Sequence, residues 1–269
     1  MNIQCLGPFV VTAGSSESVP RPCRRSRLLI ALLAHANEVV ATERLIGEIW
    51  GDQYSETSRN SLHAQIARLR KVVHAWSARD GADIALIARY PGYVLLIDDD
   101  ILDMTHFIRL AAQSRAAWPT DPLMASEYAR KALAYFRGKP FAGHDLGPLG
   151  RAARVRMEEI RLTTRETLID SSLELGFHRQ LICECEELLI AYPLHERFYE
   201  QLMVALYRSG RQGEALALFG QARLRLREDL GVEPSPHLHH RMTQILHHDA
   251  GLWERCDSWN GVMLGARRS

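Results

Sequence analysis

Residues 3–23 alternate short apolar runs with Gly, Pro and Ser, a pattern that predicts several small strands joined by tight turns. At Arg24 the period changes. The segment RRSRLLIALLAHAN clusters its apolar positions at helical spacing and ends near Asn37, and after a short VVA stretch a second helix is expected from Thr42. Thr42 is expected to cap that helix through its hydroxyl, with Leu45, Ile46, Ile49 and Trp50 as the packing surface. The loop GDQYSE then leads into a third helix over about residues 57–77. At about 100° per residue, Leu62, Ile66, Leu69, Val73 and Trp76 fall on one stripe of it, which closes a small core against the two helices before it. IALIARYPGYVLLI follows as two apolar strands around a tight Pro91-Gly92 turn, with Arg89 and Tyr93 beside its tip. Three helices followed by a hairpin is the element order of a winged helix.

Asp98, Asp99 and Asp100 interrupt the apolar wing strand and mark an expected boundary. Beyond them, residues 103–247 are dominated by helical periodicity, broken by RGKPFAGHDLGPLG, which reads as an ordered loop. That loop lacks the GxxxxGK[ST] arrangement of a phosphate-binding loop. A repeat runs through the second half: LELGFHRQL from Leu173 aligns with LYRSGRQGEA from Leu206, placing Leu173 over Tyr207, Gly176 over Gly210 and Leu181 over Ala215 at a spacing of 34 residues. This period predicts tetratricopeptide-like helical hairpins, in which Leu202, Leu206, Tyr207, Ala215, Leu218, Phe219 and Leu226 pack one unit against the next. The expected organisation is therefore an α+β winged helix over residues 1–99, an all-α domain over 100–247 and a tail over 248–269. In the tail, Trp253, Trp259, Val262, Met263 and Leu264 are expected to dock on the helical domain.

Composition alone decides little: of 269 residues 46% are hydrophobic and 24% charged, as in ordinary soluble proteins, and the formal charge is +1. The distribution of that charge is more informative. Residues 57–79 carry Arg59, Arg68, Arg70, Lys71 and Arg79 with no Asp or Glu, a local +5, whereas residues 100–247 hold 19 Lys/Arg against 19 Asp/Glu. His63 and His74 join Arg59 and Arg70 on one flank of the third helix, while Ala64, Arg68 and Lys71 lie on another. The helix is thus a candidate DNA reader, because arginine contacts guanine edges or phosphates and a helix fits the major groove. A solvated charged face is the alternative reading of the helix taken by itself. A second basic group, Arg21, Arg24, Arg25 and Arg27, stands at the start of the first helix, where it is expected to meet flanking phosphates.

The segments TERLIGEIWG, SRNSLHAQIARLRKVV and ARYPGYVLLI closely resemble the DNA-binding domain of the Streptomyces antibiotic regulatory protein family. PLHERFYEQLMVALYRSGRQGEALALFGQARLRLREDLGVEPSPHL resembles that family's bacterial transcriptional activation domain. Together the two resemblances span residues 1–247. They imply a small N-terminal sheet, a winged helix like that of response-regulator effectors, and a helical domain that supports dimerisation and contacts RNA polymerase holoenzyme. By the same resemblance, Asn60, Ala64 and Arg68 are the leading base-facing positions. Arg59, His63, Arg70 and Lys71 are assigned mainly to backbone or flank contacts, and Arg89 and Tyr93 to the wing. The implied function is a sequence-specific activator on direct-repeat promoter DNA, acting as a homodimer in the regulation of antibiotic biosynthesis. A non-enzymatic adaptor and a promoter-occluding repressor are the alternatives. No ATPase segment or receiver domain is recognised, so direct control by ATP hydrolysis or receiver phosphorylation is not expected.

Neither catalysis nor a cofactor is expected. Cys5, Cys23, Cys183, Cys185 and Cys256 are scattered and odd in number, which fits a reducing cytoplasm, with Cys183 and Cys185 read as buried or half-buried thiols. His237, His239, His240, His247 and His248 lack the HExxH spacing of a zinc site, and adjacent His144 and Asp145 do not by themselves make an acid–base pair. The start MNIQCLGPFVV has no basic leader before a long apolar run, and no apolar stretch of 18 residues occurs, so neither secretion nor membrane spanning is expected.

Overall fold

The computed structural model describes residues 1–51, 57–118 and 120–252. The chain packs as two compact units, one of Met1–Ala111 with Lys131–Leu162, the other of Ala112–Arg130 with the chain from Thr163 onward. The expected tail docking, and most of the GDQYSE loop, lie outside the described residues.

The first unit begins with an antiparallel sheet of β1 (Asn2–Gln4), β2 (Val10–Ala13) and β3 (Ser16–Ser18), in that order. Its alternation buries Ile3, Val11 and Ala13 and leaves the edge strand β3 exposed. Then come α1 (Arg24–Ala34), β4 (Val40–Ala41), α2 (Thr42–Trp50), α3 (Ser58–Asp80), β5 (Ile84–Arg89) and β6 (Gly92–Ile97), which make a winged helix. The second sheet has the order β4-β6-β5, so the short strand between α1 and α2 pairs with the inner wing strand. Leu62, Ile66, Leu69, Val73 and Trp76 are buried as their period predicts, while Trp50, expected in the core, is only half-buried.

Thr42 does not cap α2. The residue ahead of the helix is Ala41, and the Thr42 hydroxyl donates instead to the carbonyl of Pro91 at 3.1 Å, beside the bond from its own N–H at 3.2 Å. A carbonyl at the hairpin tip competes for the hydroxyl because β4 leads into α2 directly beneath the wing.

Asp98–Asp100 enters a 3₁₀ turn, Asp99–Ile101, with the Asp98 carboxylate accepting the Asp100 N–H at 3.0 Å. Then follow α4 (Asp103–Ala117), α5 (Pro122–Leu133) and α6 (Pro148–Glu174). The change of period at Asp98–Asp100 is not an edge of the first unit, because polar groups beyond it finish the backbone of the N-terminal sheet. Buried Asp103 accepts the N–H groups of Cys5 (2.8 Å) and Leu6 (3.0 Å) and pairs with Arg137 at 3.0 Å. The N–H groups of Arg137 and Phe141 donate back to the carbonyls of Leu6 and Cys5, both at 2.8 Å.

A second such tie joins α2 to α6. Glu48, with 0% of its surface exposed, accepts the N–H groups of Gly147 (2.9 Å), Leu149 (2.6 Å) and Gly150 (3.3 Å) around the start of α6. A helix start offers unsatisfied donors and positive potential, and Pro148 adds no N–H that would need a partner. The approach requires glycine at 147, where a Cβ would lie 2.2 Å from the Glu48 carbonyl oxygen.

The second unit contains α7 (His178–Ala191), α8 (Glu196–Arg208), α9 (Gln212–Leu230) and α10 (Pro236–Leu246). The 34-residue repeat recurs in its backbone geometry. Gly176 and Gly210 take left-handed φ of +86° and +80°, and the residues after them donate six-residue closing bonds, Phe177 to Ser172 and Arg211 to Leu206. The same helix end therefore recurs at the same repeat position, as tetratricopeptide-like hairpins require. Leu202, Leu206, Tyr207, Ala215, Phe219 and Leu226 are buried and Leu218 is half-buried. Within this packing Arg197 bridges Asp170 (2.7 Å) and Glu200 (2.8 Å), and Gln201 donates to Asp170 at 2.8 Å. Of the cysteine pair on α7, Cys185 is buried as expected, but Cys183 is exposed, being two residues away on the helix and so turned to another face.

Candidate nucleic-acid interface

The outward face of α3 is fixed by its inward one. With Leu62, Ile66, Leu69 and Val73 in the core, Asn60, Ala64, Arg68 and Lys71 occupy a single exposed stripe on the far side, spanning roughly 80° at about 100° per residue. Among the described residues, Arg68 and Lys71 have no acidic partner, so the stripe projects two free cations around a small residue. His63 and His74 are also exposed on this helix.

Two other arginines of α3, Arg59 and Arg70, are held to the scaffold. Arg59 pairs with Glu43 of α2 at 2.9 Å, both side chains being well exposed. Arg70 donates its Nε–H to the Leu86 carbonyl at 2.9 Å and lies 5.9 Å from the centre of the Tyr93 ring. With the two Thr42 bonds to Pro91, these contacts tie both α2 and α3 to the hairpin, so the geometry of wing and helix is set before any ligand arrives.

Arg89 is exposed at the end of β5, opposite Gly92 in the hairpin register. Tyr93, expected beside it at the wing tip, is 9% exposed; it pairs with Val40 in the sheet and lies under Arg70, so it supports the wing from beneath. The aromatic residue presented at the tip is Tyr90, 98% exposed, which the reading of the sequence passed over. Its signal was available: in ARYPGY the residue ahead of Pro91-Gly92 belongs to the turn, and one position later the chain has returned to the paired strand.

Arg24 and Arg25 are not brought to the outer stripe. The Arg24 guanidinium lies 5.9 Å from the Trp50 ring, and Arg25 lines a cavity with Leu69, Val72 and Trp76, from the inward side of α3. Arg27 pairs with Asp145 and donates to the Ile49 carbonyl at 3.2 Å. His144 is buried with its Nδ1 3.1 Å from the Ser26 hydroxyl, and burial pushes its pKa below the ordinary histidine value. His144 and its neighbour Asp145 thus turn to different partners. In the second unit His239 packs edge-on against Phe219 and His248 lies 3.3 Å from the Tyr207 hydroxyl, both as packing and hydrogen-bonding groups. No helix among the described residues is long and apolar enough to cross a membrane.

Comparison with known proteins bears on both units. Residues 17–95 match the family model "Transcriptional regulatory protein, C terminal" and residues 102–246 match "Bacterial transcriptional activator domain". The chain is 36% identical over 252 residues to the transcriptional regulator RedD of Streptomyces coelicolor, a match covering 94% of this chain and 72% of that protein. Its similarity to the regulatory protein DnrI of Streptomyces peucetius is 34% identity over 257 residues, covering 94% of each. The regulatory protein AfsR of Streptomyces griseus is 35% identical over 253 residues, and there the match spans 25% of the relative's length. Among solved structures, Mycobacterium tuberculosis EmbR in complex with a low affinity phosphopeptide matches with a TM-score of 0.80 and 26% identity, over 92% of this chain and 65% of that one.

Proposed function

Because the chain belongs to the Streptomyces antibiotic regulatory protein family of transcriptional regulators, we propose that it is a sequence-specific activator that reads promoter DNA through the outward stripe of α3. The observation that carries this reading is the alignment of Arg68 and Lys71, which have no acidic partner among the described residues, with Asn60 and Ala64 on the side of α3 opposite its core. Asn60 supplies a paired donor and acceptor and Arg68 a donor fork that discriminate base edges in the major groove, and Ala64 lets the helix approach closely. Lys71 and His63 contact phosphates, Arg89 adds charge on the flank, Arg59 reaches the flanking backbone from its exposed pair with Glu43, and Tyr90 reaches the backbone from the wing tip.

Two protomers occupy direct repeats, each raising the local concentration of the other, and the helical half contacts RNA polymerase holoenzyme at promoters of antibiotic biosynthesis genes. The match of residues 102–246 to the bacterial transcriptional activator domain supports activation over occlusion.

The test uses a duplex selected from a random pool by the full chain, titrated beside a scrambled duplex over a salt series. Arg68→Ala is expected to lose discrimination between the two duplexes. Lys71→Ala is expected to weaken both alike and to lower the salt slope by about 1. Equal affinity of the unmodified protein for both duplexes would overturn the reading. Transcription reconstituted with purified polymerase then separates activation from occlusion by the sign of the effect.

A further inference from the structure

A cavity of about 510 Å³ opens between the β3–α1 connection, the start of α1 and the inward side of α3. Its volume lies within the range of small-molecule sites, about 300–1,000 Å³. Leu29, Leu69, Val72 and Trp76 line its apolar part, and Arg21 and Arg25 stand at its polar side. Pro20 and Pro22 belong to the connecting wall, which restricts the backbone there and reduces the ordering that a ligand must impose.

Charge selects among possible occupants. Residues 18–33 contain four arginines and no Asp or Glu. Arg27 is taken up by Asp145 and the Ile49 carbonyl, and Arg24 stacks near Trp50. Arg21 and Arg25 are left without an acidic partner among the described residues. Both guanidiniums are exposed, so a cationic ligand would be repelled, a neutral one would gain nothing from them, and an anionic one would gain charge-assisted hydrogen bonds.

We propose that this cavity binds a small organic acid with a flat apolar body, its rings against Leu29, Leu69 and Trp76 and its anionic group on Arg21 and Arg25. Cys23, exposed on the same rim, is a built-in reporter. Burial pushes its thiol up, but the N–H groups of Ser26 and Arg25, the Ser26 side chain and the Arg25 charge together outweigh burial and hold it below the ordinary thiol range. It is therefore more reactive than an ordinary exposed thiol.

The full chain, without DNA, is titrated with 8-anilinonaphthalene-1-sulfonate and with uncharged N-phenyl-1-naphthylamine, which has the same aromatic body. Iodoacetamide labelling of each cysteine is followed in parallel by mass spectrometry. The sulfonate probe is expected to bind saturably at one site, about tenfold more tightly than the amine, and to protect Cys23 while leaving exposed Cys183 unprotected. Joint Arg21→Ala and Arg25→Ala substitution should erase the preference for the sulfonate, and Val72→Trp should block both probes. The arginine substitutions lie on the surface and keep the test valid if Val72→Trp disturbs folding. Equal binding of the two probes, retention of the preference without the arginines, or no selective protection of Cys23 would each overturn the proposal. None of these readouts involves DNA, so the assignment of α3 stands or falls separately.

Discussion

Glu48→Ala is the most incisive perturbation of the first unit. The substitution removes a fully buried carboxylate and orphans the N–H groups of Gly147, Leu149 and Gly150. Each unsatisfied buried donor costs about 1–3 kcal/mol, while relief of the carboxylate's own desolvation and water entry return part of it. The expected net loss is about 3–5 kcal/mol, a large share of a total stability of about 5–15 kcal/mol. Urea unfolding followed by far-ultraviolet circular dichroism reads it as a lowered midpoint.

Glu48→Gln adds a pH signature. Its amide oxygen can still serve Gly147 and Gly150, but its NH₂ group then faces the Leu149 N–H, at a cost of about 1–3 kcal/mol. Burial pushes the Glu48 carboxyl above its ordinary value, and the Leu149, Gly150 and Gly147 donors with the Arg27 charge offset only part of that push. With the folded pKa above the unfolded one, the folded chain holds the proton more tightly. The stability that Glu48 contributes is fully present below the unfolded pKa and is lost as pH rises through the folded one. Glutamine does not titrate. The gap between the unmodified protein and Glu48→Gln should therefore be widest at and below the unfolded value, about pH 4.3, and narrow toward neutrality. A gap that widens toward neutrality would refute the balance of forces, showing that the donors at the helix start outweigh burial. A loss under about 1 kcal/mol for Glu48→Ala would refute the cap itself.

Other outcomes follow from single residues. Tyr90→Ala should leave the melting temperature unchanged and weaken binding to the selected duplex about three- to tenfold, whereas Tyr93→Ala should lower the melting temperature. Replacing Arg197 with Met leaves Asp170 and Glu200 facing each other without their cation and should cost about 3–5 kcal/mol in urea unfolding. Gly210→Ala forces a Cβ into left-handed backbone and should cost about 1–2 kcal/mol by the same measurement. In the folded protein iodoacetamide should modify Cys23 and Cys183 readily and Cys5 and Cys185 slowly, since burial followed by neighbouring acids pushes the Cys185 thiol up to about 12.

The hydrophobic period by itself determined the helices, the wing and the 34-residue repeat, because helix geometry turns sequence spacing into a buried face without reference to anything distant. Leu62, Ile66, Leu69, Val73 and Trp76 are inward for that reason, and Asn60, Ala64, Arg68 and Lys71 are outward for the same one. Family motifs in the winged helix and helical half carried the regulator assignment.

Polar pairing between distant parts of the chain was a matter for the tertiary structure. Arg59, Arg68 and Arg70 look alike along the chain, yet Glu43 engages the first, nothing acidic among the described residues engages the second, and the Leu86 carbonyl holds the third. Tyr90 takes the tip position expected of Tyr93 because the strand resumes between them. Asp103 and Glu48 carry no local sign of the backbone N–H groups they accept, which lie 97 or more residues away. A hydrogen bond demands a donor and an acceptor within about 3 Å at a workable angle, and spacing along one helix cannot specify where another part of the chain will bring them.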